Sequence, residues 1–585
     1  MLGAMEVAGL SANTAHDGGV DTTSADGVDA VDDGLRVITL DPLAPELIDF
    51  HELSLASRTA WWLGRHAALV TAVLCSVVAV VGFRGGDYPA QDYRAFMFGA
   101  HGFLIWDVNW YGGHALLGYS VLFPAVGWAL GTVPATAIAC TASTALFGRL
   151  IGRADNWPAV VARLWFAVFV VGDLIVGRAP FACAVTAGLA AVLAVRARHP
   201  WFGAAAAVIA SLFSPLGAAF LLLVAVAWAP TLGWRRAAPF AGAFVGLAVT
   251  FVAGDGGIFP FPLTGFIGQV AIVAIGLVVA PLHEQIVRRM LWIYGAACVV
   301  LFFVPNPVGG NITRLAGIVI GPAAAFVLLR AHRKIALLLV AVPLLIFQLL
   351  PIVGAISSAA DDPSTKPQYY QGMLSFLTEN QQPLGRVEIP FTRDHWEAKY
   401  VAEKVPLARG WDRQVDLSRN AVLYAPLTAA TYHTWLYENA VRFVALPDAP
   451  LDEGGQAEKA LLRHPPSYLR SVYTDNQWHI WAVVGAAPLA SGAATMTSLT
   501  PSSFTMNAQT GGVTFVRLRW SAYWHVDDNA QACVAPAGGG WTTVISFAPG
   551  PVKISARALP GDTGCTDLQL ARFGLGDAGA PEPKS

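Results

Sequence analysis

Asp87 and Asp92 stand close together in the stretch FRGGDYPAQDYRAFMFGAHGFLIWDVNWYGGHALLGYSVLFP, Phe83 to Pro124, which follows the first long apolar run. The stretch holds three aspartates and seven glycines. Carboxylates at the mouth of a membrane span can deprotonate a hydroxyl, bind a metal, or serve as a solvated helix cap. If Pro89 starts a helix, Asp87 lies near its N-terminus and Asp92 and Arg94 fall in its first turns. Further on, Trp106, Asp107, Trp110, Tyr111 and His114 surround the pair Gly112-Gly113. Tryptophan and tyrosine suit a membrane interface, and they also stack on sugar rings. Paired glycines permit a close backbone approach to a ligand. His101 and His114 have no Cys or His neighbour at metal-ligand spacing, so no metal site is expected. Two arginines, Arg178 in VGDLIVGRAP and Arg314 in NPVGGNITRLAG, suit a lipid phosphate. Asp173 offers Arg178 a structural partner, whereas Arg314 has no acidic neighbour in sequence.

The elements that must position these residues are membrane helices. The 585 residues are 55% hydrophobic and 13% charged, against about 25% charged in soluble domains. Apolar segments of spanning length recur from residue 66 to residue 354, which implies an α-helical polytopic membrane protein. A net charge of −2 argues against a nucleic-acid partner. Residues 1–57 read as an acidic, disordered cytoplasmic tail without a secretory signal. Basic groups at Arg58/Arg65, Arg149/Arg153, Arg196/Arg198, Arg235/Arg236, Arg288/Arg289 and Arg330/Arg333/Lys334 mark cytoplasmic ends. Their parity gives about eleven crossings within 58–356. Tyr119 to Leu130, broken by Pro124, is then re-entrant or interfacial, and Trp201 to Ala229 is a short hairpin broken at Ser214-Pro215. The N-terminus lies in the cytoplasm. The first outer loop covers 84–133, and everything after Pro351 lies outside a multi-pass cell membrane protein.

The outer part divides in two. Residues 357–485 mix helical spacing (QYYQGMLSFLTEN) with strands (RVEIPF) and a hairpin around Asp475-Asn476, which suggests a small α/β unit. Residues 486–572 hold short alternating strands between Gly/Pro turns, the pattern of a β-sandwich. Its only cysteines, Cys533 and Cys565, are expected to form a disulfide in an oxidising compartment. Residues 573–585 read as a disordered tail.

With these features together, GGDYPAQDYRAF and WDVNWYGGHALLGYSVLFP resemble the GT-C glycosyltransferase superfamily. Within it they resemble an actinobacterial group related to 6-pyruvoyl-tetrahydropterin-synthase-related membrane proteins. RVEIPFTRDHWEAKYVAEKVPLARGWDRQ and NAVRFVALPDAPLD look like the same group. The resemblance implies a polyprenyl-phosphate sugar donor within the membrane lipid, an envelope glycan or lipid acceptor, and transfer on the outer face. It assigns the catalytic base to Asp87 or Asp92. The choice stays open because Asp87-Tyr88 replaces the adjacent acidic pair of the protein mannosyltransferases. Arg314 and Arg178 would hold the donor phosphate; Trp106, Trp110, Tyr111 and His114 would contact sugar or acceptor. No cofactor is expected. Two other readings stand beside it: a transporter or flippase of envelope precursors, and a non-catalytic scaffold for envelope assembly. Transporters usually carry mid-membrane charges and repeated halves, and neither is visible in these spans.

Overall fold

A computed structural model of the chain describes residues 55–152, 156–527, 531–561 and 563–576. All of them belong to one compact unit, Leu47–Ser585. The tail expected at 1–57 lies outside the described residues except for 55–57, which begin a helix; of the disordered tail expected at 573–585, residues 573–576 are described, and Phe573 and Leu575 pack against Cys533, Ile545 and Leu570 instead.

The first half is helical and apolar. Among the described residues, seven helices are long and apolar enough to cross a membrane, and two sharply bent pairs raise the number to nine. Pro200–Phe213 and Leu263–Val279 are apolar but shorter. The bends are chemical. Leu55–Arg65 carries charged residues and meets Ala67–Val81 at 85°; it lies across the entry of the first span instead of extending it. Phe123–Leu130 meets Thr132–Ile151 at 108°, through Gly131 at φ +81°. Ser214, in an extended conformation before Pro215, separates Pro200–Phe213 from Pro215–Leu232.

The helix ends sort into two groups without any membrane present. Arg196 donates to the Leu150 carbonyl, Arg289 to the Thr231 hydroxyl and Arg333 to the Val279 carbonyl, each within 2.9 Å. The ends bearing basic clusters therefore meet one another. The opposite ends also meet: Gly85 N–H bonds the Ile175 carbonyl at 3.0 Å, and Phe259 N–H bonds Asn306 at 2.9 Å.

Beyond the long helix Lys334–Ala360 lies a four-stranded sheet. Arg386–Glu388 runs parallel to Val441–Pro447, which pairs antiparallel with Trp478–Val483 and through it with Leu469–Thr474. Two further four-stranded antiparallel sheets follow. One has the order Ala532–Pro536, Trp541–Ser546, Gly512–Arg519, Ala490–Gly492; the other Trp524–Val526, Gly550–Ala556, Ser503–Ala508, Ala494–Thr500. Their inward Phe504, Met506, Val516, Val544 and Ile554 make a shared core. Cys533 and Cys565 are bonded, with S–S 1.98 Å.

The loop 84–133 is built into the cores of both C-terminal units. Tyr88, Tyr93, Met97, Trp110 and Tyr111 share a cluster with Tyr370, Met373, Trp396 and Trp478. Ile105, Trp106 and Val108 enter the core of the β-sandwich. Its dense aromatics bury apolar area that the two outer units would otherwise leave exposed.

Candidate active site

Helix Tyr88–His101 begins with Pro89 in its first turn and ends at Gly102, φ +74°. Asp87 occupies the cap position, yet its carboxylate makes no capping hydrogen bond. It points instead to Arg314, whose Nη2 lies 3.3 Å from Oδ2. Both side chains are largely buried, at 18% and 13% exposure. Gly85 makes this approach possible: a Cβ there would sit 2.8 Å from the Ile175 and Val176 carbonyls. Those carbonyls take the Gly85 and Asp87 N–H groups, which pins the start of the loop to the end of Trp157–Val176. Arg314 arrives from the start of the span Gly309–Arg330, so a carboxylate and a guanidinium 227 residues apart are brought together.

Asp87 and Arg314 line a cavity of about 240 Å³ between the apolar helices and the C-terminal α/β unit. Tyr119 contributes from further along the same loop, Phe259 from another, and His395, Trp411 and Arg413 from the C-terminal α/β unit. Trp411 Nε1–H donates to the Gly86 carbonyl at 2.7 Å, and its ring meets Tyr119 edge-on. Burial, then the Asp87 charge, pushes the Tyr119 phenol up, so its hydroxyl stays neutral. His395 has φ +58°, a strained conformation for a histidine, and its Nε2 lies 3.7 Å from Asp452. Arg413 holds the same carboxylate at 2.7 Å. Burial works to raise the Asp452 carboxyl, but its neighbours His395 and Arg413 and the Gly454 N–H hold it below the ordinary range.

Arg178 stands beside this site, 3.9 Å from Asp173. Burial, then the neighbouring Arg314 cation, pulls Arg178 below the ordinary arginine range, while Asp173 acts against both. Arg314 is thus the cation against Asp87, while Arg178 is near enough to feel the Arg314 charge but is not among the cavity residues. Asp92 is not among them either; it pairs with Lys399 at 3.1 Å.

No protein-family model matches the chain. No curated protein matches it either. A crystal structure of ArnT from Cupriavidus metallidurans in the apo state is similar at 14% identity, over 74% of this chain and 99% of that chain, with a TM-score of 0.35. So loose a likeness transfers no residue role.

The four residues expected to touch sugar do not line the cavity, and the structure gives them a different task. Trp110 is fully buried, stacked on Tyr93 at 4.6 Å and on His114 at 5.0 Å, with its Nε1–H on the Ala398 carbonyl. Tyr111 donates to the Asp412 carbonyl at 3.0 Å. Trp106 meets Trp524 edge-on inside the sandwich. His114 is buried beside Asp107 at 3.8 Å. Their ring faces are covered by protein, so none is open to a glycan. The Gly112 approach likewise admits protein, since a Cβ there would meet the Arg386 guanidinium at 2.8 Å. Among the described residues, no three His, Cys, Asp or Glu side chains gather in a metal-holding group. Sequence reasoning assigned no role to Tyr119, His395, Trp411 or Arg413. The last three lie in the stretches TRDHWEAKY and ARGWDRQ that carry part of the family resemblance, and their charge and aromatic density was the available signal.

Proposed function

We propose that the chain is a GT-C-type membrane glycosyltransferase that moves a sugar from a polyprenyl-phosphate donor to a hydroxyl of an envelope glycan or lipid on the outer face. The carrying observation is the Asp87–Arg314 pair in a cavity at the junction of spans and outer units. A carboxylate and a cation are the two groups the reaction needs. Asp87 takes the proton of the acceptor hydroxyl, and the freed oxygen attacks the anomeric carbon. The bond from that carbon to the phosphate oxygen breaks, and polyprenyl phosphate leaves with the electron pair. Arg314 and Arg178 stabilise that charge, commonly the largest catalytic contribution. The resting ion pair gives the order of events. An arriving phosphate competes for Arg314 and releases the Asp87 carboxylate to act as base. Asp92, tied to Lys399, is the weaker claimant.

The test is transfer from a labelled polyprenyl-phosphate sugar by protein reconstituted in vesicles. Asp87→Asn should insert and fold normally yet lose transfer by roughly 10²-fold or more, the scale of general base catalysis. Asp92→Asn should keep most of it. Full activity in Asp87→Asn would remove the mechanism.

A further inference from the structure

A second and larger cavity, about 310 Å³, opens where the first outer loop, the α/β unit and the sandwich meet. Its size falls in the range of small-molecule sites, roughly 300–1,000 Å³. Its floor is apolar: Leu377, Val387, Val405 and Phe443 are all buried. Its sides are polar and of mixed sign. Glu403 lines it half-buried, and its carboxylate takes no hydrogen bond among the described residues. Burial pushes that carboxyl up, against the Lys399 and Lys404 charges. The Gln381 amide, exposed at the rim, is equally unpartnered among the described residues. Lys404 and Arg442 also line the cavity.

We infer that this cavity binds a neutral oligosaccharide. An anion would meet Glu403, and a cation would meet Lys404 and Arg442. A hydroxyl both donates and accepts, so it is served by acceptors and donors side by side. The apolar C–H face of a sugar ring covers the apolar floor. Placement adds the length of the ligand. Asp87 immediately precedes helix Tyr88–His101, and His101, its last residue, lines this cavity. Fourteen helical residues rise roughly 20 Å. A single ring cannot touch both places; a chain of several rings can. In the transferase reading, a glycan that reacts at Asp87 must be several rings long if its distal part is to lie in this cavity. This last step rests on the transferase reading, whereas the binding chemistry does not.

Ligand-observed NMR on the purified full-length protein in detergent tests the proposal, with linear neutral mannose, galactose and arabinose oligomers as probes, from mono- to hexasaccharides. Longer oligomers should bind and monosaccharides bind more weakly. Uronate oligomers and chitosan oligomers, the charged controls, should bind no better than neutral ones. Glu403→Gln, nearly isosteric, should weaken binding about tenfold through loss of one charged hydrogen bond. Gln381→Trp, at an exposed rim position, should block the mouth and abolish binding. Absence of binding by all neutral oligomers, preference for a charged series, or binding untouched by both substitutions overturns the proposal. Binding with these features but no transfer from any donor leaves the cavity assigned and removes the transferase reading. Transfer without oligosaccharide binding does the reverse.

Discussion

Asp87 heads a helix without capping it, because Arg314 is a better partner for its carboxylate than the helix amides are. An arginine facing a carboxylate in a partly buried site is held by charge and by hydrogen bonding together. Removing either member therefore has different consequences. Asp87→Asn removes the base and leaves the cavity shape intact. Arg314→Ala removes a group that holds the donor phosphate and also the charge that grows on it as it leaves, so it should both raise the KM for the donor and lower kcat. Steady-state kinetics over a donor titration decides this; a fall in kcat alone would place Arg314 elsewhere. Arg178 is less available, since Asp173 already shares it.

Among the elements, the first outer loop acts as a wedge between the membrane helices and both outer units. Arg94 and Asp412 form a buried pair at 2.9 Å across that junction, and Arg419 joins Asp255 at 2.8 Å. Ala115 N–H adds a bond to the same Asp255 carboxylate. Trp110→Ala should accordingly cost about 3–5 kcal/mol of stability, the scale for a large buried ring, measured by chemical denaturation in detergent. A sugar-stacking role would instead leave stability near wild type and weaken acceptor binding. The wedge also carries a proton signature. Burial pushes Asp107 up to about 7, against the Asn109 amide, the Tyr93 hydroxyl and the Arg94 charge. Burial, aided by Arg94 and Arg419, holds His114 well below the usual histidine range. Between about pH 4 and 6.5 the unfolded chain has ionised this aspartate while the folded one keeps its proton, so stability falls as pH rises. Just below pH 6.5 the unfolded histidine is protonated and the folded one is not, so there stability rises with pH. The two trends offset. Asp107→Asn should remove the aspartate trend, so that its stability relative to wild type falls by about 1.4 kcal/mol for each pH unit lowered between about 6.5 and 4.5. Denaturation curves from pH 4.5 to 7 provide the check, and parallel profiles for wild type and variant would refute it.

For the whole molecule, the sorting of helix ends makes topology testable. The basic ends bond to one another, and the opposite ends converge on the Asp87 cavity. Cysteines replacing Ile258 and Glu453, both well exposed, should label with an impermeant reagent in intact cells. A cysteine replacing Arg235 should label only after permeabilisation. Labelling at Arg235 in intact cells would overturn the orientation and the short hairpin of Pro200–Phe213 and Pro215–Leu232.

The class of this protein was legible in its sequence because bilayer thickness imposes a length on apolar segments, and because backbone groups in lipid must bond within a helix. The break at Ser214-Pro215 was legible for the same local reason, since proline restricts the residue before it. Asp87 and Arg314 were each visible as charges out of place. That they meet was not, because only the packing of the first span's end against Trp157–Val176 and Gly309–Arg330 brings together residues so far apart in the chain. The aromatics of the first loop carried an ambiguous signal. A tryptophan that stacks on sugar and one that fills a core have the same composition and the same neighbours in sequence. Tertiary structure decided for the core, because Trp106 and Trp110 find the sandwich and the α/β unit waiting to cover them. His395 and Trp411 entered the cavity by the converse route: strand and loop geometry in the outer unit brings them over the membrane mouth, a placement no local periodicity encodes.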